Sequence, residues 1–139
     1  MNKLFKILSI MMIFIFVVSC GCDDCTGNGN YKIKATINYV NETSGDVLSL
    51  EGCNINITPG NTLSFTVEET LGSKPNIDDF PVSIFTNCNM MYKNGNDLKC
   101  EYGINLIDNY EDRKEVSPLV FEFTFRFTEE RKNIAELCN

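Results

Sequence analysis

The residues best able to do chemistry in this chain are its cysteines and carboxylates. Its 139 residues include seven cysteines, 19 Asp plus Glu and no histidine. Without histidine there is no Ser-His-Asp or Cys-His arrangement, no imidazole base and no imidazole metal ligand. A zinc site would need four thiolates, and the chain offers a single C-x-x-C, Cys22-Asp23-Asp24-Cys25. In redox proteins that motif works because a helix N-terminus lowers the pKa of its first thiol. Here it lies in a short polar segment with no βαβ pattern around it, so it reads as disulfide cysteines. Cys88 beside Met90 and Met91 raises copper, but a methionine-bearing apolar strand reads as core.

Carboxylate pairs can hydrolyse glycosides, and the candidates are Asp78/Asp79 and the group Asp108, Glu111 and Asp112. They fall in charge-rich loops without fixed spacing and read as solvated surface. The calcium-loop spacing of EF-hands is missing, as are the Walker and G-x-G-x-x-G phosphate loops. The expectation is a non-enzymatic protein with no catalytic residue, no metal site and no cofactor.

The chain opens with Lys3 and Lys6, then runs apolar from Ile7 to Val18 except at Ser9. That run is too short to span a bilayer, which takes about 20 residues, and matches a secretory signal peptide. Val17-Val18-Ser19-Cys20 follows. It resembles the lipobox of bacterial lipoproteins, a branched aliphatic, a small-to-medium residue, a small residue, then cysteine. The resemblance implies a diacylglyceryl group on the Cys20 sulfur, with acyl chains of the palmitate class, and cleavage that leaves Cys20 as the first residue. Several acyl chains at about 0.8 kcal/mol per buried CH₂ hold a protein on a membrane. The expected division is a signal peptide over 1–19, a lipidated tether over 20–30 and one domain over 31–139.

Losing Lys3 and Lys6 takes the net charge from −7 to −9. A chain this acidic is a poor partner for nucleic acid, whose binding rests on cationic contacts to phosphates. The membrane is then held through the lipid, and a protein or glycan ligand remains open. With Cys20 lipidated, six cysteines remain: Cys22, Cys25, Cys53, Cys88, Cys100 and Cys138. An even number in an exported domain fits up to three disulfides.

The elements that must position these residues read as strands. In "YKIKATINYV" Tyr31, Ile33, Ala35, Ile37 and Tyr39 alternate with polar residues, and in "LVFEFTFRF" (119–127) Leu119 and four phenylalanines share one face. Shorter strands are expected at 47–50, 53–57 and 63–67, a loop at 70–80, and irregular or briefly helical chain over 103–117. Thr128 can N-cap a terminal helix carrying Glu129 and Glu130 at its positive end, with Ile134 and Leu137 packing it onto the sheet. Short strands at such spacing predict one antiparallel β-sandwich, Ig-like in architecture, with a short C-terminal helix. A three-residue loop at Lys93-Asn94-Gly95 would set Cys88 opposite Cys100 and point Lys99 and Glu101 outward. A Cys88–Cys100 disulfide follows, worth on the order of 3 kcal/mol. Three pairings of the remaining Cys22, Cys25, Cys53 and Cys138 are open, and the favoured ones join the tether cysteines to Cys53 and to Cys138 in the terminal helix. The Asn41 and Asn56 sequons read as incidental beside a lipobox.

The lipobox, acidic tether, "INITPGNT" turn, Asn94-Gly95 hairpin, "NLIDNYE" and "FEFTFRFTEE" together resemble small, mostly uncharacterised outer-membrane lipoproteins of Bacteroidota. The resemblance implies an outer-membrane address in the cell envelope, periplasmic or surface-exposed. Asp23 and Asp24 stand where such proteins carry a surface-export signal, although Cys22 and Cys25 around them depart from the usual pattern. It transfers no catalytic residues. The expected role is binding or structural. One alternative is a glycan- or protein-binding accessory, which an exposed aromatic patch would favour. The other is a thiol–disulfide protein that cycles Cys22 and Cys25.

Overall fold

A computed structural model describes residues 29–49, 53–81 and 88–138. The chain is mainly β, in two four-stranded sheets. In chain order the strands are β1 (Tyr31–Asn41), β2 (Val47–Ser49), β3 (Asn56–Ile57), β4 (Thr62–Leu71), β5 (Met90–Asn94), β6 (Asp97–Glu101), β7 (Glu111–Ser117) and β8 (Val120–Phe127). A short helix, α1 (Glu129–Ile134), follows β8. One sheet has the order β4-β1-β8-β7 and the other β3-β2-β5-β6. The expected signal peptide, Cys20, Cys22 and Cys25 lie outside the described residues.

The two strands with the clearest alternation form the centre of the first sheet. They pair in parallel, Ala35 opposite Phe121 and Tyr39 opposite Phe125, whereas the other pairings are antiparallel. Period two sends Ile33, Ala35, Ile37 and Tyr39 of β1 and Phe121, Phe123, Phe125 and Phe127 of β8 to the same inner face, all buried. Val47, Ile57, Met90 and Tyr92 meet them from the second sheet. Edge-to-face rings such as Tyr92 on Phe127 (5.8 Å) and Tyr110 on Phe125 (5.3 Å) fill the layer.

The chain crosses between sheets at 41–46, where Asn41 is fully buried. Its Nδ2 donates to the carbonyls of Gly45 (2.8 Å) and Ile57 (2.6 Å), and its Oδ1 accepts from Thr43 N (2.9 Å) and Oγ1 (2.8 Å). Every polar atom of that amide is used, so the Asn41 sequon holds a structural asparagine.

Several expectations need correction. The β5–β6 hairpin turns on two residues, Gly95 and Asn96, with Asn94 opposite Asp97. Gly95 takes φ 65 at the first central position, which a II′ turn requires. The register is thereby displaced by three residues from the expected one, an odd number that reverses faces. Met91, not Cys88, is opposite Cys100, so Cys88 and Cys100 cannot bond. The disulfides are Cys53–Cys88 and Cys100–Cys138. The expected bridges from Cys22 and Cys25 to Cys53 and Cys138 are therefore overturned, their body partners being taken.

The same register turns Glu101 inward, where it is buried. Residues 111–117 form a strand although no apolar face marks it. Leu119 sits in the β7–β8 turn at φ 60 instead of starting the strand. Thr128 does cap α1, its side chain accepting from Arg131 N at 3.2 Å. Ile134 and Leu137 do not pack the helix down, being 79% and 57% exposed. Lys132 is the buried residue of α1, and Lys99 Nζ caps its end by donating to the carbonyls of Lys132 (3.0 Å) and Asn133 (3.1 Å).

The bridges have sequence separations of 35 and 38 residues. On the loop-entropy relation each is worth about 4 kcal/mol. Replacing Cys100 and Cys138 together with alanine should lower denaturant stability by a comparable amount. Unreduced peptide mapping should return 53–88 and 100–138, and an 88–100 peptide would contradict this topology.

Candidate functional site

Around Glu101 a network of buried and half-buried ionisable side chains opens onto a surface cleft. β5 and β6 bring Tyr92 and Glu101 onto the inner face at the sheet's edge, and the Tyr92 hydroxyl donates to Glu101 Oε2. Glu101 Oε1 accepts from Gly103 N at 2.6 Å. The chain then coils through two 3-10 turns, Gly103–Asn105 and Ile107–Asn109. Asn109 donates to Gly103 O (2.8 Å) and accepts from Arg131 Nη2 (3.2 Å). Arg131, from α1, also lies over the Phe125 ring at 4.8 Å.

Space near Gly103 is fully committed. A side chain there would start 2.8 Å from both Glu101 Oε1 and Asn109 Nδ2.

A cleft of about 280 Å³ lies over this network, lined among others by Tyr102, Gly103, Arg131, Ile134 and Glu136. Tyr102 is 68% exposed and Ile134 more so. The Glu101 side chain is held by the Tyr92 hydroxyl and the Gly103 N–H on its two oxygens, which fixes its orientation beneath the cleft. The arrangement therefore offers an apolar contact surface of Tyr102 and Ile134 flanked by opposite charges on Arg131 and Glu136.

Three tyrosines report how dry the interior is. Burial pushes Tyr39 up to about 12, with the Tyr110 hydrogen bond pulling slightly the other way. Burial raises Tyr92 further, helped by its bond to Glu101 and that group's charge. Tyr110 is raised by burial and by Tyr39, whose hydroxyl is 3.3 Å away.

The carboxylates singled out in the sequence are divided between two arginines. Arg113 Nη1 lies 3.5 Å from Asp78 and 3.7 Å from Asp108. Arg126 binds Glu42 (2.7 Å), Glu111 (3.0 Å) and Asp112 (3.0 Å), and these contacts raise its own pKa. Asp108 is thus tied to a different arginine from Glu111 and Asp112. The carboxylates are largely exposed and the two arginines part-buried, and ion pairs at such a surface are worth little individually. Asp79 closes a local turn with Asn76.

Cys88 is bridged and Met90 is core. Among the described residues no group of three acidic or cysteine side chains could hold a metal. Tyr102 is the one aromatic among the largely exposed apolar side chains of the described region, so no aromatic patch forms there. A second groove, of about 580 Å³, lies where β1 begins, lined by Lys32, Lys34, Glu68, Glu69 and Leu119 among others. Its charges balance, with Lys34 and Glu68 3.7 Å apart.

Sequence reasoning missed Glu101, Tyr92 and Arg131. Their types are common, and only the two-residue hairpin turn brings them together. No protein-family model, curated protein or solved structure matches the chain.

Raised tyrosine pKa values stabilise the fold below the unfolded value of about 10, and that stabilisation is lost as pH climbs toward the folded values. Alkaline titration should therefore show Tyr39, Tyr92 and Tyr110 ionising together with loss of near-UV circular dichroism above about pH 10. Their ionisation at pH 10 with the tertiary signal intact would contradict the buried assignment.

Proposed function

We propose that this chain is a lipid-anchored bacterial envelope lipoprotein, tethered through Cys20 in the outer membrane, with a non-enzymatic binding or structural role. The observation that carries the reading is the pairing of all four described cysteines into two bridges behind a lipobox. Such bridges persist in oxidising compartments outside the cytosol.

The tether and the fold fit together mechanically. Eleven residues from Cys20 to the start of β1 reach at most about 36–40 Å when extended. The end of the sandwich carrying Lys32, Glu69 and Leu119 is then nearest the membrane. Its mixed charge gives no electrostatic grip on anionic lipid, so the acyl chains do the holding. The far end presents the 41–46 crossing and the start of α1. The Tyr102–Ile134 cleft is the surface best suited to a protein or glycan ligand.

Mass spectrometry of the N-terminal peptide from protein expressed in a bacterial host should find Cys20 as the first residue, bearing diacylglycerol. Cys20→Ala should leave the precursor uncleaved. A mature chain beginning at Gly21, or an unmodified Cys20, would overturn the reading.

A second reading gains from the bridge pattern. Cys53, Cys88, Cys100 and Cys138 satisfy one another, so Cys22 and Cys25 are left to pair with each other or to act as a dithiol in exchange with a partner's disulfide. The two carboxylates between them disfavour thiolate formation, which weakens them as nucleophiles. Differential alkylation of protein from its own membrane should find this pair joined to each other and reducible before the two body bridges. A bond from either cysteine to the body would refute it.

A further inference from the structure

Among the described residues, three of the four sheet edges are closed along their length by devices that keep sheets from pairing edge to edge, and on the fourth the charges are confined to Glu68 and Glu69, leaving 62–67 open. β3 is only two residues long. β6 is covered by the C-terminal segment, with Cys100 N donating to Glu136 O and Cys138 N to Leu98 O, both at 2.9 Å, and the Cys100–Cys138 bond fixing it there. β7 is broken by two register shifts and carries a run of five charged residues from Glu111 to Glu115. β4 is different. It pairs with β1 continuously from Leu71 opposite Tyr31 to Thr62 opposite Val40, contains no proline or lysine, and among the described residues has no neighbour on its other side.

The phase of the ladder shows which main-chain groups face outward. Asn41 N donates to Asn61 O at 3.0 Å, while Lys34 N on the opposite side of β1 donates to Leu119 O at 3.0 Å. Odd-numbered residues of β1 therefore bond toward β4 and even-numbered ones toward β8. By the alternation of antiparallel pairs, Leu63, Phe65, Val67 and Glu69 turn their N–H and C=O groups to β1. Thr62, Ser64, Thr66, Glu68 and Thr70 turn theirs outward.

We propose that β4 is a self-docking edge, on which two copies of this chain pair antiparallel about a twofold axis at Phe65 and join their sheets into one. The strand is self-complementary, and the axis at Phe65 is the one that sets all three of its inner-face residues Leu63, Phe65 and Val67 against one another. With the axis at Phe65, Leu63 is opposite Val67 and Phe65 opposite its twin on the inner face, while Thr62 is opposite Glu68 and Ser64 opposite Thr66 on the outer face. No like charges meet, and no charge meets an apolar side chain. Moving the axis to Thr66 sets Leu63 against Glu69, and moving it to Val67 sets Phe65 against Glu69. Apolar patterning fixes register where one face is buried, and a self-complementary strand gives the closed isologous contact typical of dimers. Leu63, Phe65 and Val67 are only half-buried at this edge, so the partner's matching residues would complete their cover.

The test is sedimentation and amide hydrogen exchange of the full, oxidised chain in mild detergent at low and high concentration, alongside Thr66→Pro. The Thr66 N–H faces outward, so proline there removes no bond to β1. A concentration-dependent dimer is expected, with the amides of Thr62, Ser64, Thr66 and Glu68 exchanging at least about tenfold more slowly in it and Thr70 unchanged. Thr66→Pro should be monomeric with β8 still protected. If that variant loses β8 protection, Ser64→Lys with Thr66→Lys, which sets lysine opposite lysine, should give the monomer instead. A monomer at both concentrations, a dimer in which those four amides exchange freely, or a dimer that survives the lysine pair would overturn the proposal.

Discussion

The parallel pairing of β1 with β8 is the constraint on which the rest of the structure depends. Among the described residues these two strands supply half of the buried hydrophobic side chains, and each has a neighbour on both sides. They are also the first and last of the described strands, so the ladder from Lys34 opposite Val120 to Asn41 opposite Phe127 cannot form until nearly all of the domain is present. Closing so long a loop costs entropy before any contact repays it, which makes folding slow. The two bridges close loops that run through the first sheet, 53–88 around β4 and 100–138 around β7 and β8.

The polar features serve that closure. Asn41 holds the point where the chain leaves the first sheet, Glu101 ties β6 to the 3-10 turns, and Arg131 connects those turns to α1. The buried polar groups are thus spent on joining elements, and what the described surface offers is two grooves and a strand edge whose charges are confined to one end. Glu122 is paired across strands with Lys114 at 2.9 Å, which holds its carboxyl below the usual range. Glu129 is likewise lowered, by Ser44 of the 41–46 crossing. Such contacts keep the outer surface occupied with itself.

How much of this was legible in the sequence depended on whether burial left a period. β1 and β8 alternate strictly because one face is core and the other wet, and both were readable. β7 was not, since "EDRKEVS" has no apolar face and is a strand only because β8 lies beside it. The hairpin misled because Gly95 serves as the first residue of a two-residue turn as well as the last of a three-residue one, and an odd shift exchanged the faces of Cys100 and Glu101. Cysteine pairing followed that error, as spacing alone does not determine connectivity. In the candidate site Tyr102 and Ile134 were hidden by a reasonable assumption. The apolar residues of a terminal helix usually pack inward, but here Lys132 and the lysine cap hold α1 instead.

Native-state hydrogen exchange of β1 and β8 under increasing denaturant would probe the parallel pair directly. If that pair closes the domain, the amides of Ile37 to Val40 and Phe123 to Arg126 should be the slowest and open with one shared free energy equal to global unfolding. If β8 exchanges through a cheaper opening while β1 stays protected, the two strands are separate units, and their pairing is not what closes the fold.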